Sequence, residues 1–209
     1  LAMTMIEAAR TGYDQLGMTL ESLRTNVGLM RVLGETGRYG EALDVGQRVL
    51  DNIAATQTPE QTLLMAHVQR NWGVCLERIG RFADARVAFA AAEQLYATLG
   101  LDESLADLRI NRGLVLVQIG RVQEALALYD TALLIYQQHN LPLAQAQTLI
   151  NLGEGRLLLG DYMLSLQSFE QATQILDTLG QLADEPILLR QLADAYLLLN
   201  LSSDALDAY

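Results

Sequence analysis

The chain predicts an all-α solenoid, built from antiparallel helix pairs stacked one on the next. Three observations predict it. Gly80-Arg81-Phe82, Gly120-Arg121-Val122 and Gly160-Asp161-Tyr162 recur 40 residues apart. Each is followed by the same series: Ala85, Phe89, Ala92; Ala125, Tyr129, Ala132; Ser165, Phe169, Ala172. Each is preceded, seven residues back, by Gly73, Gly113 or Gly153. A fixed period of this length means that each repeat buries its apolar face against its neighbours.

The pattern extends in both directions. Gly37-Arg38-Tyr39 with Ala42 and Val49 is an earlier copy, and Asn200, Ala205 and Tyr209 form a degraded later one. Ala9 to Gly17 repeats the spacing of Ala92 to Gly100. The expected organisation is a single solenoid over 1–209. Residues 1–17 are a closing helix, followed by repeats at 18–57, 58–100, 101–140 and 141–180 and a partial repeat at 181–209. The chain opens on Leu1 rather than Met and stops inside a helix at Tyr209. The expectation is a fragment, with end-to-end self-association through 1–17 or 187–209.

Helix punctuation follows the period. Pro59, Pro142 and Pro186 all lie between repeats, where no helical hydrogen bond is lost. Thr58-Pro59-Glu60-Gln61 combines an N-cap, a first-turn proline and a capping-box glutamine, and Asp184-Glu185-Pro186 is a similar start. The residues at 37, 80, 120, 160 and 200 suit the left-handed turn that ends one helix and starts the next. First helices are predicted near 19–35, 59–79, 103–119, 142–159 and 185–199. Second helices are predicted near 39–55, 82–98, 122–139, 162–179 and from 202.

Composition narrows the function classes. The chain is 51% apolar and carries a net charge of −11, with no Lys. That charge argues against nucleic acid, which needs a basic footprint. No apolar run is long enough to span a bilayer. Cys75 is the single cysteine, which excludes an internal disulfide and fits a reducing, cytoplasmic setting.

With the turn glycine at position 15, position 8 is small, 17 aromatic or apolar, 20 small, 24 aromatic and 27 alanine. This series resembles the tetratricopeptide repeat over essentially the whole chain; HEAT and armadillo repeats lack it. The long period is similar to that of LGN/Pins adaptors, kinesin light chain, and bacterial MalT-like and CHAT-associated regions. The resemblance implies a right-handed α-α superhelix whose first helices line a concave groove. The first full repeat departs from the pattern, with Met30 at position 8 and Gly46 at position 24. Looser packing is expected there.

The first helices carry a second stripe, at positions 2, 5, 6, 9 and 13, opposite the packing face. Ile110, Asn111, Leu114 and Gln118 lie on it, followed by Ile150, Asn151, Glu154 and Leu158, then Arg190 and Asp194. Aliphatic residues aligned on a face with no packing duty suggest a binding groove. The plainer reading is scattered surface Leu and Ile. Asn71, Asn111 and Asn151 form a ladder at position 6. An amide both donates and accepts, so it can grip a peptide backbone of any sequence. In the adaptors this chain resembles, Asn at that position does so. The alternative is that each amide bonds its own neighbouring helix. Solvent access to all three is expected. Val74 is a further groove residue, on the second repeat, where Arg70 and Arg78 flank it. Arg24, Arg31, Arg70 and Arg78, with His67, fall on the first two repeats against one acid, Glu35. They form an anchor for an acidic ligand segment, or a solvated face with internal pairs.

Catalytic patterns are missing from the sequence. His67 and Cys75 are eight residues apart on one helix, about 12 Å along its axis, too far for a nucleophile and base. No His or Cys spacing suggests zinc. Asp102-Glu103 reads as a helix start, and Gly153-Glu154-Gly155 lacks the strand and loop of a phosphate cradle. Arg112 and Arg156 occupy packing positions, either snorkelling or reaching a ligand. The sequence therefore predicts a non-catalytic module without cofactor or metal. Its partner is a protein or peptide segment, from the same chain or another. The alternatives are a regulatory arm of a larger protein and a purely structural spacer.

Overall fold

A computed structural model describes residues 2–53, 58–181, 186–199, 201 and 204–205. Among these the chain is helical, without strands. The helices are α1 (Ala2–Gln15), α2 (Thr19–Glu35), α3 (Tyr39–Asn52), α4 (Pro59–Arg78), α5 (Phe82–Leu99), α6 (Asp102–Gln118), α7 (Val122–Gln138), α8 (Pro142–Leu158), α9 (Tyr162–Thr178) and α10 (Pro186–Leu198). Their bounds fall within a residue of the sequence expectation, apart from the ends of α1 and α3, which come two and three residues early. The capping box at α4 forms as read. Gln61 N donates to Thr58 Oγ1 at 3.3 Å, and Thr58 N donates to Gln61 Oε1 at 3.1 Å. Asn200 and Asp184-Glu185 lie outside the described residues.

Among the described residues, the turn from a first helix to its second repeats one geometry. Gly37, Gly80, Gly120 and Gly160 have φ of +77°, +77°, +79° and +82°, a conformation only glycine adopts at no cost. The next residue's N–H reaches five residues back, as in Arg81 N to Leu76 O at 2.8 Å and Arg121 N to Leu116 O at 2.8 Å. This satisfies carbonyls that the helix end would otherwise leave unpaired. Arg38, Arg81 and Arg121 then pair with Glu41, Asp84 and Glu124 in the first turn of the following helix. The Arg38 guanidinium holds the Glu41 carboxyl below its usual range.

Two compact units are present, Leu1–Leu108 and Arg109–Tyr209, and the division falls inside α6. The first buries Leu23, Val27, Met30 and Leu33 of α2 with Val45 and Val49 of α3 and Leu64 and Val68 of α4. The second buries Tyr129 of α7, Leu149 and Leu152 of α8, Phe169 and Leu176 of α9, and Leu188 and Leu192 of α10.

The helix pairs close on the small residues the repeat supplies. A Cβ built on Gly73 would lie 2.3 Å from the Phe89 ring, one on Gly113 2.2 Å from Tyr129, and one on Gly153 2.4 Å from Phe169. Ser165 stands where the other repeats have Ala42, Ala85, Ala125 and Ala205. It is fully buried because its Oγ donates to Gly153 O at 2.8 Å. The first full repeat corrects an expectation: its packing is exchanged rather than loosened. Met30 is fully buried, and a Cβ on Gly46 would meet Trp72 Nε1 at 2.9 Å and Met30 Cε at 3.0 Å. The bulk moved from position 24 to position 8, and Trp72 closes the gap, its Nε1 donating to Leu43 O at 3.1 Å.

Candidate functional site

In the first unit, α2 and α4 lie side by side and leave a cavity of about 350 Å³. Its lining comprises Met30, Arg31, Gly34, Glu35, Tyr39, Arg70, Asn71, Val74, Cys75 and Arg78. Four of these, Arg70, Asn71, Val74 and Arg78, are the groove residues the sequence nominates on α4. At Gly34 the two helices approach closely. Gly34 has no side chain, and a Cβ there would already touch Cys75 Sγ at 3.4 Å.

The polar groups of this cavity fall into two sets. Arg31 is paired with Glu35 at 2.8 Å, and nearby Arg24 is paired with Glu21 at 2.9 Å. These internal pairs neutralise much of the charge that the sequence alone suggests. Arg70 and Arg78 have no hydrogen-bonded or ion-paired partner among the described residues. Arg70 is half-buried, and Arg78 is exposed. Burial, with the Arg70 charge as the second cause, pushes the His67 imidazole below its ordinary value. His67 packs instead against the Tyr96 ring, with centroids 6.0 Å apart. Burial pushes the Cys75 thiol up, which makes it a poor nucleophile.

The three amides differ. Asn71 is only 8% exposed, against the expectation of open solvent access. Asn111 and Asn151 are half-buried. No hydrogen bond joins any of the three amides to another described side chain or backbone group.

In the second unit the nominated residues are less alike. Ile110 and Ile150 pack partly against the core. Glu154 accepts a hydrogen bond from Gln191 Nε2 at 2.6 Å. Leu158 is 65% exposed, and Leu114 is half-buried. Arg190 and Asp194 are exposed, Asp194 with an interaction of its own, as has Gln118. Arg156, undecided from sequence, turns inward. It donates to Ser168 Oγ and Leu164 O and lies 3.9 Å from Asp130. Sequence reasoning missed Met30, Gly34, Tyr39 and Cys75 as cavity residues, because they occupy positions the repeat reserves for packing. Only the Met30–Gly46 departure hinted at something unusual there.

No family model matches the chain, and no curated protein does. Solved structures do. BtubC (BKLC) from P. vanneervenii matches with a TM-score of 0.85 and 18% identity, over 99% of this chain and 86% of that one. A putative kinesin light chain with nearly identical TPR-like repeats from Podosopora anserina matches with a TM-score of 0.72 and 17% identity, over 89% and 90%. The Rap conjugation gene regulator of plasmid pLS20, solved in complex with the Phr* peptide, matches with a TM-score of 0.67 and 17% identity, over 90% and 53%. The chain therefore has the fold of TPR-like helical solenoids, as its repeat series implies.

Proposed function

We propose that this chain is a non-catalytic peptide-binding module, which holds an extended segment against the stripe carried by its first helices. One observation carries the reading. Residues chosen from sequence for groove duty line a cavity in the first unit, and the Asn71 amide there has no partner among the described residues. An amide that no protein group engages keeps both its donors and its acceptor for a peptide backbone. The similar Rap regulator was solved with a peptide, which supports a partner of this class. In the second unit, Ile110, Asn111, Leu114 and Gln118 on α6, Ile150, Asn151, Glu154 and Leu158 on α8, and Arg190 and Asp194 on α10 hold the same stripe positions and are the residues proposed to contact peptide there.

Panning the 209-residue chain against a random peptide library, followed by anisotropy titration of the selected peptides, tests this. Replacing Asn71, Asn111 and Asn151 with Ala should weaken binding, since each unpaired peptide amide costs about 1–3 kcal/mol. Asn111→Ala and Asn151→Ala should leave the melting curve nearly unchanged. A triple variant that loses stability yet binds its peptide as before would refute the proposal.

A further inference from the structure

Arg70, Val74 and Arg78 form a ridge along α4, one residue per turn, and all three line the cavity. Successive members are spaced by about 6 Å along the axis, at 1.5 Å per residue. An extended peptide repeats its side chains on one face every second residue, about 6.8 Å apart. The two spacings nearly coincide. A strand lying along α4 therefore places its residues i, i+2 and i+4 over Arg70, Val74 and Arg78, in either direction.

The chemistry along that line is charged, apolar, charged. Both guanidiniums lack a carboxylate partner among the described residues, although the whole chain carries a net charge of −11. Between them Val74, Met30 and Cys75 form an apolar floor. Asn71 sits beside Arg70 with a free donor and acceptor for the strand's backbone. The paired Arg31 and Glu35 on the facing helix add no net charge. Resting on the peptide-binding reading above, we infer that this cavity selects an extended segment of the form acid–x–apolar–x–acid. The two carboxylates sit on Arg70 and Arg78 and the apolar side chain on Val74. A helical ligand would need its acids seven or eight residues apart to span the same two arginines, at about 1.5 Å per residue.

The test titrates the 209-residue chain, by fluorescence anisotropy, against four labelled peptides. These are Gly-Glu-Ala-Leu-Ala-Glu-Gly, its counterpart with Gln for both Glu, an isomer with the two Glu adjacent, and a helix-forming peptide with its acids eight apart. The first should bind best. Loss of one charge-assisted contact, through Arg70→Gln or Arg78→Gln, should weaken it about tenfold or more, and the Gln peptide, which loses both, should bind more weakly still. Binding should fall with added salt. Arg78→Glu should prefer a peptide with Lys in place of one Glu, which a misfolded variant cannot do. Equal binding of the Gln or adjacent-Glu peptide would overturn the acidic pattern and leave the peptide-binding reading standing. So would library-selected peptides indifferent to Arg70→Gln and Arg78→Gln. Preference for the helical peptide would overturn the extended register. Failure of every library peptide to bind would overturn both.

Discussion

Replacing Gly113 by Ala sets two known effects against each other. In an exposed helix the change stabilises by about 1 kcal/mol, through helix propensity. At Gly113 the new methyl carbon would sit 2.2 Å from Tyr129 Cε1, 2.7 Å from Cζ and 2.9 Å from Cδ1. Ordinary carbon contacts lie near about 3.5–4.0 Å, so the overlap exceeds about 1 Å. Tyr129 is 1% exposed and has no open side to move into. Overpacking of this kind typically costs about 1–3 kcal/mol, and here it should exceed the propensity gain. Urea denaturation followed by far-UV circular dichroism should show a lower midpoint for Gly113→Ala. Two further variants isolate the cause. In a Tyr129→Leu background, Gly113→Ala should become neutral or stabilising, because the ring edge is gone. Gly28 lies in α2 with nothing within 4 Å of its Cβ position. Gly28→Ala should therefore stabilise by up to about 1 kcal/mol. If Gly113→Ala stabilises the parent chain as Gly28→Ala does, close approach of α6 and α7 is not why that glycine recurs.

Other outcomes follow from the same geometry. Met30→Ala removes a fully buried side chain that fills the space above Gly46, and should cost about 2–5 kcal/mol in urea denaturation; a loss under about 1 kcal/mol would mean that Trp72 refills the gap. His67 has its folded pKa lowered by burial and then by Arg70, so the unfolded chain takes up its proton first. Stability is therefore full above the unfolded value of 6.5 and falls as pH drops through it, and His67→Gln should flatten that acid limb of the denaturation midpoint. Tyr196, raised to about 12 by burial and by donating to Glu170, should ionise late in an ultraviolet pH titration. Its stability contribution is complete below the ordinary tyrosine value and lost as pH rises toward about 12, and Glu170→Gln should bring the titration earlier.

Sequence alone determined the helices, their pairing and their turns, because those depend on local rules repeated at a fixed interval. A left-handed glycine at 37, 80, 120 and 160, a capping box at Thr58 and a small residue facing each ring are legible one repeat at a time. The stripe on α4 was legible for the same reason, since spacing along one helix fixes which residues share a face. What lies opposite that face was not. Only the tertiary packing decided that Asn71 is covered while Arg70 and Arg78 are left without a partner among the described residues, and that Gly34 and Cys75 line a cavity beside them. The same holds for Met30, Gly46 and Trp72, whose volumes are shared across three helices: each departure from the repeat looks like a defect until the neighbour that fills it is in place. Periodicity records what every repeat needs in common, whereas a site depends on where particular side chains from different helices meet in space.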